Sequence, residues 1–403
     1  MTLAGKKVVL GVSGGIAAYK AIEVCRRLVD AGAHVAPIMT EGAKHFVGET
    51  TLSALASEPV QTSLWHEVSP IPHTRLGQSA DVIVVCPATA RLLAAYAIGL
   101  SDDLLTATLL ATRAPVVVAP AMHTEMWEHP AVQANIATLA GRGVLIVPPE
   151  EGRLAGGDVG AGRLAAPDAI VAAVESALTP SDLAGVKVLI TAGGTRERID
   201  AVRVITNRSS GKQGYALAAE AAARGAFVTL VTTVDRPAPP GVAAVITVES
   251  AAEMEAVVMP RAPREDVIIM AAAVADFRPV AAPDHKIKKD GGLTSIELEP
   301  THDFLVDLGA RKPEGQVLVG FAAETDRLLE HAGDKLARKR LDLIVGNDVS
   351  ATGVGFEHDT NAVVILGADG ARTDVALTTK RAVASAILDA VVAQRLRSAP
   401  TNT

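Results

Sequence analysis

Several residues of this chain have the types and spacing needed to hold phosphate and to move protons. Gly11, Ser13 and Gly14 belong to GVSGGIAAYK, which follows an apolar run, and ITAGGTRERID takes the equivalent place in the second half. A glycine-rich loop of this kind brings backbone N–H groups up to a phosphate at the opening of a helix, where the helix dipole favours negative charge. The two loops differ in chemistry, which predicts two activities in one polypeptide. His73, after Pro70 and Pro72, has the residue type suited to proton transfer near neutrality, the alternative being a surface-loop histidine. Lys286, Lys288 and Lys289 crowd a loop after Asp276-Phe277, and Ser209-Ser210-Gly211 open a helix; these are anion-binding signals, or else a solvated basic loop and an ordinary N-cap. Lys335 and Lys339, at i and i+4, place two ammonium groups on one helical face or form a solvated helix end.

The first loop departs from the dinucleotide fingerprint. Read as G-x-G-x-x-G from Gly11, the three positions hold Gly11, Ser13 and Ile16, which disfavours a pyrophosphate cradle and a nicotinamide cofactor. Ser13 followed by Gly14-Gly15 offers a hydroxyl and N–H groups to a single phosphate, as a mononucleotide such as FMN requires. A tight strand-to-helix turn with Ser13 as N-cap is the competing reading.

The elements that must position these residues alternate. In the first half strands are expected at 7–12, 34–39, 82–86, 115–119 and 144–147, with helices near 16–31, 88–98, 102–112, 131–140 and 168–177. Continuous Val/Ile runs such as DVIVVCP and APVVVAP suit a parallel sheet covered on both faces. The second half repeats the pattern, with helices at 212–224, 251–259, 326–340 and 379–395, strands at 227–233, 266–270, 317–321 and 342–346, and a hairpin turning at Asp369-Gly370. The fold class is α/β with two doubly wound, Rossmann-like domains: one at 1–178, a linker at 179–185, a second at 186–396 and a frayed tail at 397–403. A net charge of −7 gives no general attraction to nucleic acid or anionic membrane. The N-terminus lacks an apolar signal region, no apolar run reaches membrane-spanning length, and Cys25 and Cys86 form no disulfide framework or zinc spacing, so a cytoplasmic protein is expected.

GVSGGIAAYK, IMTEGAKHF, PHTRLGQSADVIVVCPATA, DDLLTATLL and PAMHTEMW, in that order, resemble the flavin-dependent cysteine decarboxylases. The resemblance implies bound FMN, His73 as catalytic base, Thr40, Pro87 and Thr89 as flavin-site positions beside the phosphate loop, and PAMHTEMW, with His123 and Met126, as the segment gripping a substrate carboxylate. His123 stands where that family has asparagine. AGGDVGAGRL is similar to its mobile flap, with Asp158 and Arg163 matching and Gly156 in the place of the usual cysteine.

ITAGGTRERID, VITNRSSGKQGYALA, AAAVADF, KIKK, GFAAET and LDLIVGNDV resemble the phosphopantothenate–cysteine ligases. Together the halves resemble the bacterial bifunctional phosphopantothenoylcysteine decarboxylase/phosphopantothenate–cysteine ligases of coenzyme A synthesis. The resemblance implies 4'-phosphopantothenate, cysteine and CTP as substrates, Mg2+ with the triphosphate, and a homo-oligomer, a dodecamer by family pattern. Asn207 matches a residue acting on an acyl-cytidylate and Lys286 the first lysine of K-x-K-K. Ser209, Ser210, Gly211, Asp276, Phe321, Lys335 and Lys339 fall around the nucleotide, and metal ligands stay unassigned. The competing reading is an active ligase whose flavin half is impaired or regulatory, because Gly156 removes a thiol and His123 an amide.

Overall fold

The computed structural model describes residues 3–65, 71–288, 295–324, 327–348 and 358–398. The chain divides into two compact units, Met1–Thr179 and Pro180–Thr403.

In the first unit the chain runs β1 (Lys7–Val12), α1 (Ala21–Asp30), β2 (His34–Met39), α2 (Glu49–Leu55), α3 (Pro72–Ser79), β3 (Val82–Ala88), α4 (Ala90–Ile98), α5 (Leu104–Leu110) and β4 (Val116–Pro120). It continues through α6 (Thr124–Glu128), α7 (Pro130–Gly141), β5 (Leu145–Ile146), β6 (Glu150–Arg153), β7 (Val159–Arg163) and α8 (Pro167–Leu178). The sheet order β2-β1-β3-β4-β5, parallel throughout, is that of a flavodoxin-like doubly wound domain. All of β3 is buried, as expected for a Val/Ile run with a helical layer on each face. On α1, Val24, Cys25 and Leu28 enter the core while Glu23 and Arg27 pair at 2.7 Å one turn apart on the outside. The helix expected over 16–31 begins as a 3-10 turn, Ile16–Lys20, and α2, α3, α6 and the β6–β7 hairpin carry no clear periodic signal.

The second unit runs β8 (Lys187–Ala192), β9 (Arg196–Arg198), β10 (Val204–Thr206), α9 (Lys212–Ala223), β11 (Phe227–Thr232), β12 (Ala244–Thr247), α10 (Ala251–Val258), β13 (Val267–Met270), β14 (Phe277–Pro279) and β15 (Leu298–Pro300). Then follow α11 (Phe304–Arg311), β16 (Val317–Glu324), α12 (Leu328–Arg338), β17 (Leu343–Asp348), β18 (Thr360–Gly367), β19 (Arg372–Thr379) and α13 (Lys380–Ser398). Its main sheet has the order β12-β11-β8-β13-β16-β17-β18-β19; the first six strands are parallel and the last two form the expected hairpin, with Gly370 at φ 85°. Two small antiparallel ribbons, β9–β10 and β14–β15, were not expected from the pattern; at three residues each they are too short for a periodic signal.

Of residues 179–185, expected as a linker, Thr179 closes the first unit and 180–185 belong to the second. Leu183 is fully buried, its N–H donates to Arg224 O at 3.2 Å, and Asp182 pairs with the Arg224 guanidinium. Turn composition marked the segment correctly as irregular, but an apolar side chain drives it into the core. At the tail, α13 continues to Ser398, and the residues beyond lie outside those described.

Both units fix neighbouring strands with the same device. An aspartate just before one strand accepts a backbone N–H from its neighbour: Asp81 from Lys7 at 2.8 Å, Asp266 from Lys187 at 2.8 Å and Asp342 from Leu318 at 2.7 Å.

Candidate active sites

In the first unit the C-terminal ends of β1, β2, β3 and β4 open onto a cavity of about 1040 Å³, where open α/β sheets place their ligands. Ser13, Gly14, Thr40, Thr89, His123, Met126 and Arg163 line it. The loop after β1 and the loop after β2 touch backbone to backbone: a Cβ on Gly14 would lie 2.5 Å from Gly42 C and 2.7 Å from Gly42 O. The 3-10 turn starting at Ile16 follows, and its first residues, Ile16 and Ala17, also line the cavity.

Two expected positions, Gly11 and Pro87, lie outside this lining, and Ser13, which belongs to it, also ties two strands together. Gly11 lies inside β1 and does not line the cavity; a Cβ there would be 2.5 Å from Leu105 Cδ1, so this glycine makes room for α5. The Ser13 hydroxyl donates to Pro87 O at 2.7 Å and accepts from the Thr89 N–H at 3.0 Å, so its proton is used to tie β1 to β3 rather than to cap a helix. Pro87 contributes that carbonyl from inside β3, also away from the cavity lining. His73 stands on α3, half-buried and outside this cavity, with Nδ1 enclosed and without a hydrogen-bond partner among the described residues.

His123 joins two elements. Its Nδ1 meets Glu125 in a short contact on α6, and its Nε2 lies 3.2 Å from Asp158 Oδ2 at the tip of the β6–β7 hairpin. The Glu125 contact first, and then the charges of Glu125 and Asp158, raise the imidazole pKa above its ordinary value. The hairpin can press this close because of its glycines: Met122 N–H donates to Gly162 O at 3.0 Å, and a Cβ on Gly162 would meet Met122 O at 2.2 Å.

In the second unit a cavity of about 700 Å³ opens at the C-terminal ends of β13, β16 and β17. Asn207, Ser209, Ser210, Gly211, Asp276, Phe321, Lys335 and Lys339 all line it. Asn207 donates its amide to Ala273 O at 3.3 Å and Val274 O at 3.4 Å, which orients the side chain against the loop after β13. Lys335 donates to Phe321 O at 2.8 Å, and the buried Lys339 pairs with Asp303 at 2.6 Å, so both ammonium groups of this helical face turn inward rather than into solvent. Lys286 and Lys288 lie on an exposed segment outside the cavity lining, held by Ile287 N–H to Asp200 at 3.2 Å; Lys289 is outside the described residues.

The second glycine loop is a brace. The carbonyl of Gly193, a residue at φ 91°, accepts from the Ala273 N–H at 2.8 Å, and a Cβ on Gly194 would lie 2.5 Å from Asn207 O. Neither glycine lines the cavity; they let the loop after β8 approach the segments that do.

Sequence reasoning missed Lys380, the first residue of α13, which lines the same cavity and is buried. Burial pushes its ammonium down to about 8, with Lys212 adding to the shift and Asp359 opposing it. Its folded pKa lies below the unfolded value of about 10.4, so between these limits the unfolded chain holds more protons and stability rises with pH. Below about 8 the burial cost is present in full. Lys380→Met is therefore expected to raise Tm at pH 7 by about 2–4 °C, the equivalent of about 1 kcal/mol in a unit of this size, with the gain fading by about pH 10.4. A calorimetric scan at both pH values checks this, and a lower Tm at pH 7 would show that the ammonium's partners outweigh its burial.

The flavoprotein family model matches residues 1–179, and the model of the DNA/pantothenate metabolism flavoprotein C-terminal domain matches residues 183–394. The chain is 50% identical over 404 residues to the coenzyme A biosynthesis bifunctional protein CoaBC of Mycobacterium tuberculosis, covering 96% of each, and 48% identical over 398 residues to that of Bacillus subtilis, covering 97% of this chain and 98% of the other. Among solved structures, the C-terminal domain of a CoaBC protein is 41% identical, covering 53% of this chain and 97% of that one, at a TM-score of 0.45. A cysteine-to-serine mutant of PPC decarboxylase complexed with pantothenoylaminoethenethiol is 34% identical, covering 42% of this chain and 96% of that one, at a TM-score of 0.39.

Proposed function

The chain belongs to the family of coenzyme A biosynthesis bifunctional proteins, and on that premise we propose how its residues divide the two reactions between the units. It is an enzyme with phosphopantothenate–cysteine ligase and phosphopantothenoylcysteine decarboxylase activities, the product of the second unit being the substrate of the first. What carries the reading is that each half, matched by its own family model, holds a cavity at the C-terminal ends of its strands.

For the ligase, a carboxylate is a poor electrophile and must first be activated. We take CTP as the activating nucleotide: the carboxylate of 4'-phosphopantothenate attacks the α-phosphate, pyrophosphate leaves, and the cysteine amine then displaces CMP from the acyl-cytidylate. Lys335, Lys339 and the N–H groups opening α9 at Ser210-Gly211 are placed to offset the phosphate charge. Asn207, held against the loop of Asp276, is assigned to the acyl-cytidylate. Mg2+ is taken to arrive with the triphosphate, bound by phosphate oxygens and water; among the described residues no group of three His, Cys, Asp or Glu side chains forms a metal site.

The flavin is proposed to be FMN. The fit rests on the cavity's size and on the backbone contact of Gly14 with Gly42, which leaves the phosphate end of the cavity lined by main chain. When bound, FMN supplies a reversible two-electron acceptor next to the cysteinyl group. Gly14, Thr40 and Thr89 would hold it, while Met126, His123 and Arg163 face the substrate. His73 and Lys286 line neither cavity, so the proposal assigns them to sites completed by another copy of the chain, consistent with the homo-oligomer the resemblance implies. Mixing His73→Asn protein with Gly14→Ala protein is then expected to recover part of the decarboxylase activity that each lacks, and mixtures as inactive as their components would sink the shared site. The same proposal places the enzyme in the cytoplasm; no described helix is long and apolar enough to cross a membrane.

One incubation with 4'-phosphopantothenate, cysteine, CTP and Mg2+, read by mass spectrometry, tests the whole. Phosphopantetheine together with CMP is the expected result. Phosphopantothenoylcysteine alone would show an impaired first unit.

A further inference from the structure

Decarboxylation exchanges a C–C bond to a carboxylate for a C–H bond, so each turnover consumes one proton, which a side chain at the cavity can deliver faster than water when its pKa lies near the working pH. Both cysteines of the chain are buried outside the cavity, and burial pushes their thiols up to about 11 for Cys25 and about 12 for Cys86. The lining carboxylates Glu41, Asp102 and Asp103 are committed to ion pairs with Lys44 or Arg91. Ordinary lysine, arginine and phenol groups titrate several units above neutrality, whereas imidazole both holds and releases a proton there. His123 is the histidine of this cavity's own lining among the described residues, whereas His73 is proposed to reach the site from another copy.

The surroundings of His123 have the parts of a proton donor. Nδ1 is engaged by Glu125 and Nε2 lies 3.2 Å from Asp158. Gly156 leaves the Nε2 edge uncrowded, since a Cβ there would lie 3.3 Å from Nε2 and 3.4 Å from Asp158 Oδ2. Glu125 and Asp158 have side chains 81% and 69% exposed, so each can pass a proton from solvent back to the ring. The cations Arg153 and Arg163, on the two strands of the hairpin, also line the cavity.

We propose that His123 is the catalytic acid of the first unit, delivering from Nε2 the proton that replaces the departing carboxylate and taking another from solvent through Glu125 or Asp158. The C–C bond breaks, CO2 leaves, and the C–H bond forms with the imidazolium proton; the neutral ring is then reprotonated. This rests on the decarboxylase reading. It goes beyond carboxylate grip, because grip alone needs no titrating proton.

The sign of the pH dependence follows from the raised pKa: the donor is protonated at low pH, and the rate falls as pH rises through a value above the usual 6.5. The test uses purified, flavin-loaded full-length protein and phosphopantothenoylcysteine, following CO2. His123→Asn is expected to lower kcat by about 10²–10⁴-fold with little change in KM, and added imidazole is expected to restore part of the activity of His123→Gly. In parallel, NMR titration of the ¹⁵N-labelled imidazoles reads the His123 pKa directly. Glu125→Gln is expected to lower that pKa and to move the alkaline limb of the rate by the same amount, a readout that does not depend on the histidine variants folding. A His123→Asn enzyme with normal kcat and a raised KM, or a rate limb unmoved while the NMR pKa shifts, would overturn the assignment. No CO2 from the wild-type enzyme would instead remove the decarboxylase reading beneath it.

Discussion

Gly14→Ala is expected to yield a colourless protein whose ligase still turns over. The added Cβ would sit 2.5–2.8 Å from three backbone atoms of Gly42, and backbone cannot step aside as a side-chain tip can. Overpacking of this kind costs about 1–3 kcal/mol, and the relief available is to part the two loops. Those loops carry Ser13, Gly14, Thr40 and Gly42 of the cavity wall, so parting them spoils the seat of the flavin phosphate. Retained flavin should fall by about 100-fold, roughly the affinity equivalent of 3 kcal/mol, and decarboxylase activity with it. Ligase activity should stay within about twofold, because Gly14 belongs to the first compact unit and every residue lining the ligase cavity belongs to the second, so the two share no partners. Absorbance of the purified variant near 450 nm, about where oxidised flavins absorb, is the measurement. A fully yellow variant would mean that Gly42 yields and that the close approach is incidental.

Arg224→Met is expected to produce the largest loss of stability in the second unit. Arg224 is 1% exposed, donates to both Asp182 oxygens at 2.8 and 2.5 Å, reaches Asp389 at 2.7 Å and also donates to Ser385 O. Removing one member of a buried pair costs about 3–5 kcal/mol when the partner stays unsolvated. Here Asp182 and Asp389 are 31% and 65% exposed and regain water, which brings the expected cost to about 2–3 kcal/mol. For a unit of this size that corresponds to a Tm lower by about 4–12 °C. Differential scanning calorimetry resolves such a change, and the flavin-bearing unit should melt as before. An unchanged Tm would show that methionine packing makes up for the lost pairs.

The central strands β1, β3, β4, β8 and β13 were legible because they are buried on both faces and so read as continuous, mostly Val and Ile runs. The short ribbons β9–β10 and β14–β15 were not, since three residues carry no period and their places depend on contacts distant in sequence. Glycine misled in the other direction. Gly11, Gly193 and Gly194 look like parts of phosphate loops, yet each is there to let another segment approach, Leu105 in one case and the Thr233 and Asn207 segments in the others. Pattern cannot separate these uses, because both need only the missing Cβ. Lys380 was invisible for a related reason: TTKRAVAS reads as a basic helix start, and the residues that share its cavity, Asn361 and Lys212 among them, come from distant parts of the sequence. His123 and Gly156 were each singled out as departures from a family pattern, but only the fold brings them within contact of each other.

Asp81, Asp266 and Asp342 sit at the ends of the strands opposite the cavities, each setting which residue of one strand lies beside which residue of the next. Their arrangement means that alignment of the sheet does not have to be secured at the functional edge. Loops there can lengthen, exchange residues or take on a new ligand while the strands beneath keep their places. A single scaffold plan can thus be used twice in one chain for a lyase and a ligase, with strand alignment held at one end of each sheet and chemistry placed at the other.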